Sequence, residues 1–108
     1  MLIDYQSVSE QALEAFKGGD GIFYARIIDT PDARFIKGRL LPGASIGYHV
    51  HEADSESMYI ESGEGNVLYE GEAIVLPTGT AHYCPKGKGH SLRNLSDKPL
   101  TFFAVVTK

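Results

Sequence analysis

The chain is poor in cysteine and has no tryptophan. With Cys84 alone among its 108 residues, it can form neither an intrachain disulfide nor a cysteine-cluster zinc site. No apolar run approaches the roughly 20 residues that span a bilayer. No basic segment followed by an apolar run begins at Met1, so no secretory signal is visible. These absences predict a protein that does not bind a membrane and that resides in the cytoplasm.

Long runs of one charge are also missing. The ten Lys and Arg residues are scattered singly, and the formal net charge is −4. A basic stripe that would bind nucleic acid is therefore absent, and none of the fourteen acidic residues builds an acidic tail. A hydrophobic content of 43% is ordinary for a globular protein, and a chain of this length forms one core. We expect a single domain over residues 1–108.

Glycine, by contrast, is abundant, with twelve residues that suit tight turns. Short β-branched and aromatic runs alternate with Gly, Pro and Asp, a pattern typical of a β-sandwich or β-barrel. The predicted strands are residues 22–28, 33–41, 47–51, 57–62, 65–69, 73–76, 80–84, 91–94 and 100–107.

Only residues 10–17 have the pattern of a helix. Ser7 or Ser9 would cap its start, and Gly18 would end it. Leu13 and Phe16 would form its buried stripe.

Three polar residues follow closely on one predicted strand. His49 and His51 are two positions apart, so on a strand both imidazoles point to the same face. Glu56 follows after a short loop. Two imidazoles and a carboxylate are a suitable ligand set for a borderline divalent ion. A pair of surface histidines is the alternative, and the pair by itself does not decide between them.

Two longer motifs surround these residues. From Gly43 to Gly63 the chain reads Gly, five residues, His-x-His, four residues, Glu, six residues, Gly. From Gly79 to Asn94 it reads Gly, five residues, Pro-x-Gly, two residues, His90, three residues, Asn. Both motifs, in this order and at this separation, resemble those of small single-domain cupins.

This resemblance implies the fold and the metal ligands. The fold expected is an all-β jelly-roll-type β-barrel, here with a short N-terminal helix. The ligand pattern carries over to His49, His51, Glu56 and His90, with one Mn, Fe, Ni or Zn ion per chain. The resemblance also suggests a homodimer, for which Tyr59 or Phe103 on an outward strand face would supply the contact.

A competing alignment uses His82 as the last ligand. Gly71, Pro77 and Gly79 match the start of the second motif, but the position of its Asn holds Lys86. That alignment also leaves only seven residues between the motifs, too few for a hairpin and a return strand. His90 is therefore the better match.

His82 and Cys84 share one face of their predicted strand. If that face is inward, His82 is an extra ligand, a hydrogen-bond partner of a ligand or a proton shuttle; otherwise it is a structural histidine. Cys84 is expected to be a small buried hydrophobe rather than a nucleophile.

Three further residues are candidates for contact with a ligand. Tyr48 and Arg93 are hypothesised to contact substrate, although packing and a solvated surface, respectively, are the alternatives. Asn94 is expected to hold backbone or to support a metal ligand.

Two functions remain open from the sequence. The first is a metal-dependent enzyme on a small oxygen-rich metabolite, of the dioxygenase, isomerase or decarboxylase type, with Glu56 as ligand and proton acceptor. The second is a metal-containing module that binds a sugar or small organic acid without turnover. Lewis-acid polarisation of a bound oxygen is common to the plausible reactions.

Overall fold

The computed structural model describes residues 1–108 and contains ten β-strands in two antiparallel sheets. One sheet has six strands in the order β1-β2-β3-β10-β5-β8, and the other has four in the order β4-β9-β6-β7. The strands are β1 Gln11–Glu14, β2 Ile22–Asp29, β3 Ala33–Leu40, β4 Ser45–Val50, β5 Ser55–Ser62, β6 Gly65–Tyr69, β7 Glu72–Leu76, β8 Ala81–Cys84, β9 Gly89–Arg93 and β10 Leu100–Thr107.

Alternating burial explains why these segments form strands. Along β5, Glu56, Met58 and Ile60 are buried, while the residues between them are exposed. The same alternation on β10 turns Leu100, Phe102 and Ala104 inward. All nine predicted strands are present as β2–β10, with ends that differ from the prediction by at most two residues.

The core lies between the two sheets and is built around stacked aromatic rings. Phe23 on β2 stacks on Phe102 on β10, with ring centroids 5.8 Å apart. Gly38 is the cross-strand neighbour of Phe102, and a Cβ at Gly38 would lie 2.5 Å from Cζ of Phe102. Glycine at this position therefore leaves the space that the two rings occupy.

The predicted jelly-roll-type β-barrel is confirmed as an all-β fold of two sheets, but the sheets do not close into a barrel. The six-stranded sheet ends at β1 and β8, and the four-stranded sheet ends at β4 and β7. No hydrogen-bonded pairing joins the two sheets, so they form a sandwich with its core between the facing surfaces. No helix in the structure has the length and apolar character needed to cross a membrane.

The predicted N-terminal helix over residues 10–17 is wrong. Gln11–Glu14 form β1, which pairs with β2, and Phe16–Gly18 form a single 3-10 turn. Ala15 and Lys17 have positive φ values of 47° and 56°, which a right-handed helix does not allow. Pairing with the free edge of β2 outweighs the helix propensity of the segment. Leu13 and Phe16 nevertheless pack against the core, as the helix would have placed them.

Candidate metal centre

Four side chains bring their donor atoms together at the centre of the fold. The donor atoms of His49, His51, Glu56 and His90 all lie within 4.8 Å of one another. The carboxylate oxygen Oε1 of Glu56 lies 2.9 Å from Nε2 of His90, 3.3 Å from Nε2 of His51 and 4.0 Å from Nε2 of His49. His51, Glu56 and His90 are buried, and His49 is partly buried.

Both sheets contribute to this cluster. His49 on β4 and His90 on β9 are direct cross-strand neighbours in the four-stranded sheet. Side chains in such a position on one face of an antiparallel pair are close enough to share a ligand. Glu56 reaches the cluster from β5 in the six-stranded sheet. The cluster therefore bridges the interior between the two sheets.

His51 lies just beyond the end of β4, where backbone hydrogen bonds fix the loop. Its N–H donates to the carbonyl of Lys88, and its carbonyl accepts from the N–H of Gly87 at 2.6 Å. These bonds tie the first motif to the turn before β9, which carries His90.

The outer nitrogens of the imidazoles are also held. Nδ1 of His49 lies 2.8 Å from the carbonyl of Gly47, and Nδ1 of His51 lies 2.7 Å from a carboxylate oxygen of Asp54. A carbonyl and a carboxylate can only accept, so both imidazoles carry their proton on Nδ1 when neutral. Their Nε2 lone pairs then point to the centre of the cluster, as metal coordination requires.

The electrostatics of the cluster agree with a ligand set. Burial raises the pKa of Glu56, but hydrogen bonds with His51 and His90 outweigh it and lower the pKa to about 2, so the carboxylate is ionised at neutral pH. Burial lowers the pKa of His49, which keeps this imidazole neutral. The hydrogen bond with Glu56 raises the pKa of His51, so a metal ion competes with a proton for this imidazole up to a higher pH than it would at a free histidine.

Three imidazole nitrogens and an ionised carboxylate converge here in a largely buried space, and a cation or shared protons between them would stabilise this arrangement. The three nitrogens and one oxygen thus fit a borderline divalent transition metal.

An open hollow of about 250 Å³ leads to the cluster from the surface. His49, His51 and Glu56 line its floor, and its wall carries the cations Lys17 and Arg34 together with the acids Glu52 and Asp54. Arg34 is about half exposed and forms an ion pair with Asp29 at 3.2 Å. The hollow therefore leads an incoming ligand to the four donors past side chains of both charges.

A family model described as a cupin domain matches residues 37–106 of the chain. The chain belongs to the cupin family.

Relatives with recorded names resemble this cupin over nearly its whole length. An oxalate-binding protein of Thermotoga maritima is 28% identical over 112 residues, which cover 98% of this chain and 93% of the relative. The crystal structure of a predicted oxalate decarboxylase from the same organism has a TM-score of 0.91 at 27% identity, covering 99% and 98% of the two chains. A sugar phosphate isomerase of Silicibacter pomeroyi has a TM-score of 0.82 at 20% identity, covering 100% of this chain and 76% of the isomerase, which shows the shared fold alone.

His82 lies directly behind His90 in this cupin. It is buried on β8, and its Nε2 lies 3.0 Å from Nδ1 of His90. Burial lowers the pKa of His82 to about 4, so its imidazole is neutral and can accept the Nδ1 proton of His90. Of the roles open from the sequence, this geometry fits a hydrogen-bond partner of a ligand.

Replacing His82 with alanine is expected to weaken metal binding about 10- to 100-fold while one ion per chain still binds at saturation. The substitution removes the acceptor that orients His90, whereas the four donors remain. Competition with a chelator of known affinity would measure the change. His82→Gln retains an acceptor and is expected to recover part of the affinity. An unchanged affinity in His82→Ala would mean that His82 only packs against the cluster.

Three other predicted site residues lie elsewhere. Tyr48 points outward, is nearly half exposed and donates its hydroxyl to Glu70 at 3.1 Å. Arg93 donates to the side chain of Asn66, its neighbour on β6. Both side chains thus have partners outside the four-donor cluster, and their hypothesised substrate contacts stay predictions.

Asn94 is fully buried at the end of β9. Its amide donates to the carbonyls of Leu40 and Lys98 at 2.9 and 2.8 Å, and its Oδ1 accepts from Ser96. Of the two roles expected for it, the structure places it in the one that holds backbone.

The sequence interpretation missed Asp54, Lys17 and Arg34. Asp54 carried a local signal, because it lies three residues after His51 and can reach back to Nδ1. Lys17 and Arg34 carried none, since they are distant in sequence from both motifs.

The thiol of Cys84 is expected to react about 100-fold more slowly with iodoacetamide at pH 8 in the folded protein than in the denatured chain. Cys84 is fully buried, and burial raises its pKa from 9.0 to about 11. Only the thiolate attacks, and a higher pKa leaves less of it at pH 8. Mass spectrometry after timed quenching measures the rate. Equal rates in the folded and denatured states would show that the thiol is accessible.

Proposed function

We propose that His49, His51, Glu56 and His90 hold one divalent transition metal ion and that the protein uses it to bind a small dicarboxylate, with oxalate as the first candidate. The observation that carries the proposal is the convergence of four donors. Three of them are imidazoles whose outer nitrogens are already hydrogen-bonded. Mn, Fe, Ni and Zn all suit three imidazoles and a carboxylate. When bound, the metal would act as a Lewis acid toward an oxygen of the ligand.

Several features support an acid as the ligand. Lys17 and Arg34 balance the acids Glu52 and Asp54 in the lining of the hollow, so a divalent ion held by the cluster would attract an anion there. An ion that prefers six ligands keeps two positions free beside four protein donors. One oxygen from each carboxylate of oxalate would fill these two positions. The names oxalate-binding protein and predicted oxalate decarboxylase, both from Thermotoga maritima, mention oxalate.

Turnover of the bound acid is the second candidate function. The Thermotoga maritima crystal structure is described as that of a predicted oxalate decarboxylase, whereas the name oxalate-binding protein from the same organism refers to binding alone. A panel of oxalate, other dicarboxylates, 1,2-diketones and enediols, incubated with each metal form, would separate the two. Loss of substrate or uptake of oxygen would indicate an enzyme of the decarboxylase, dioxygenase or isomerase type. Tight binding with no conversion would indicate a binding module.

Titration calorimetry with oxalate tests the proposed ligand. We expect binding to the Mn-loaded protein and none to the metal-free protein. Arg34→Ala should weaken oxalate binding about 2- to 5-fold through loss of an exposed charge. Arg39→Ala is the matched control, because Arg39 forms a similar exposed ion pair with Glu10 on the outer face of the sheet. Equal oxalate affinity with and without metal would overturn the proposal.

The homodimer and the cytoplasmic location stay predictions. The outer sheet face does carry the side chains expected at a contact: Tyr59 is about half exposed and is the cross-strand neighbour of Phe103. In this chain, however, Tyr5 already packs against Phe103, with ring centroids 5.6 Å apart.

A further inference from the structure

A second, smaller cavity of about 40 Å³ lies on the core side of the metal-ligand cluster, and we call it the inner chamber. Seven of its ten lining residues are hydrophobic. They come from both sheets and include Phe23, Met58 and Phe102 on one side and Ile46 and Leu92 on the other. All five of these side chains are buried. The inner chamber is thus an apolar space inside the sandwich.

Few polar atoms reach the inner chamber. Its only polar side chains are His49, Glu56 and His90, which belong to the ligand cluster. Nδ1 of His90 faces His82 and its Nε2 faces Glu56, while Nδ1 of His49 faces a backbone carbonyl. A buried water needs about two to four polar partners, and in this space only the ligand cluster supplies any, including Nε2 of His49, which lies 4.0 Å from Oε1 of Glu56. The apolar part of the chamber, away from the cluster, offers none, and apolar cavities stay dry and bind xenon or small hydrocarbons.

Size limits the occupant further. A cavity holds one water when the space open to the centre of a water molecule reaches about 10–15 Å³. The 40 Å³ chamber therefore has room for a diatomic or triatomic molecule. Oxalate is both too large and too strongly charged for it, and fits the open 250 Å³ hollow instead. Phe16, Ile36, His49 and Glu56 line both spaces, so the chamber and the hollow adjoin at the ligand cluster.

We propose that the inner chamber binds one small nonpolar gas molecule, of the class of dioxygen and carbon dioxide, beside the candidate metal centre. Occupancy of the chamber depends only on its apolar walls and its volume. The use of the gas, as a reactant or product of chemistry at the cluster, rests on the proposed function. The two proposals can therefore fail separately.

Xenon is the first probe. Crystals of the Zn-loaded and of the metal-free protein, pressurised with xenon, are expected to show one xenon atom between Ile46, Met58 and Phe102 in both forms. An empty chamber under xenon pressure, or ordered water filling it in unpressurised crystals, would overturn the proposal. Calorimetry with oxalate on the same preparations reports separately on the proposed function.

Methyl NMR separates the two gases. Dissolved dioxygen is paramagnetic, so it should speed the relaxation of methyl protons of Met58, Ile46 and Leu92 more than those of Val67 and Leu100. The latter two are equally buried but do not line the chamber. Labelled carbon dioxide should give cross-relaxation to the same three residues. A response to only one of the two gases would identify that gas as the one the chamber binds. Uniform effects over all core methyls would contradict the proposal.

A cavity-filling variant and a matched control test whether the chamber and the acid site are separate. Ile46→Phe should abolish xenon binding and leave oxalate affinity unchanged. Ile74→Phe adds the same ring to a partly buried position that does not line the chamber. This variant should keep both xenon binding and oxalate affinity. Loss of oxalate binding together with xenon binding in folded Ile46→Phe would show that the chamber is part of the acid site, against the proposal. If Ile46→Phe fails to fold, the xenon and dioxygen results on the unaltered chain decide.

Discussion

Replacing His49 and His90 together with alanine is expected to reduce the metal content from about one ion per chain to a trace. The two imidazoles supply half of the four converging donors. They are also direct cross-strand neighbours, so both losses fall on the same side of the cluster. The remaining pair, His51 and Glu56, lie 3.3 Å apart and would form an ordinary ion pair instead of a metal site. Elemental analysis of protein purified with each of Mn, Fe, Ni and Zn measures the content.

The fourth histidine of the chain provides the control for this experiment. His82→Ala also removes a buried imidazole next to the cluster, but the four donors stay in place. It should still bind one ion per chain at saturating metal. Circular dichroism establishes that the double variant is folded. Unchanged metal content in the folded double variant would show that these residues are not the ligands.

Removing the metal is expected to lower the melting temperature by about 15–30 °C. A ligand present at a free concentration 1,000 times its dissociation constant stabilises the folded state by about 4 kcal/mol. For a domain of this size, each kcal/mol shifts the melting temperature by about 4–8 °C. Without the ion, one ionised carboxylate and three imidazoles remain crowded in a largely buried space. Calorimetric melting before and after chelation, and again after metal is restored, measures the shift.

The size of this shift should depend on pH in a defined direction. In the metal-free protein the hydrogen bond with Glu56 raises the pKa of His51 above its ordinary 6.5. Below that raised pKa, His51 holds a proton that the metal must displace, so the stabilisation by metal shrinks as the pH falls through this range. It is fully present at higher pH.

The His49→Ala/His90→Ala variant is the control for the melting experiment, because its melting temperature should not respond to the chelator. A wild-type protein that loses its metal without any change in melting temperature would show that the cluster does not couple metal binding to folding.

Local sequence patterns were sufficient to predict most of the strands. β5 and β10 alternate buried and exposed residues along their own length, so neighbouring residues carry the signal. The helix prediction for residues 10–17 failed because the conformation of this segment is not set by its own sequence. β1 forms by pairing with the edge of β2, an interaction with residues about ten positions away. The same limit applies to the barrel, since closure depends on whether edge strands such as β7 and β8 pair, which strand patterns do not encode.

The candidate site divides in the same way. The spacing within the two motifs was enough to group His49, His51, Glu56 and His90, because their positions on successive strands set which face each side chain occupies. Parity also placed His82 and Cys84 together on one face of β8, and both are buried.

Only the tertiary structure decided what surrounds the four donors. The 3.0 Å contact between His82 and His90 joins strands of opposite sheets, so it depends on how the sheets pack face to face. Lys17 and Arg34 reach the hollow, and Phe23 and Leu92 enclose the inner chamber, for the same reason. The sequence by itself determined the family, the strands and the four donors, because repeating or spaced residues specify them. The partner of His90, the charge of the hollow and the apolar chamber arise from packing between elements distant along the chain, for which no local pattern exists.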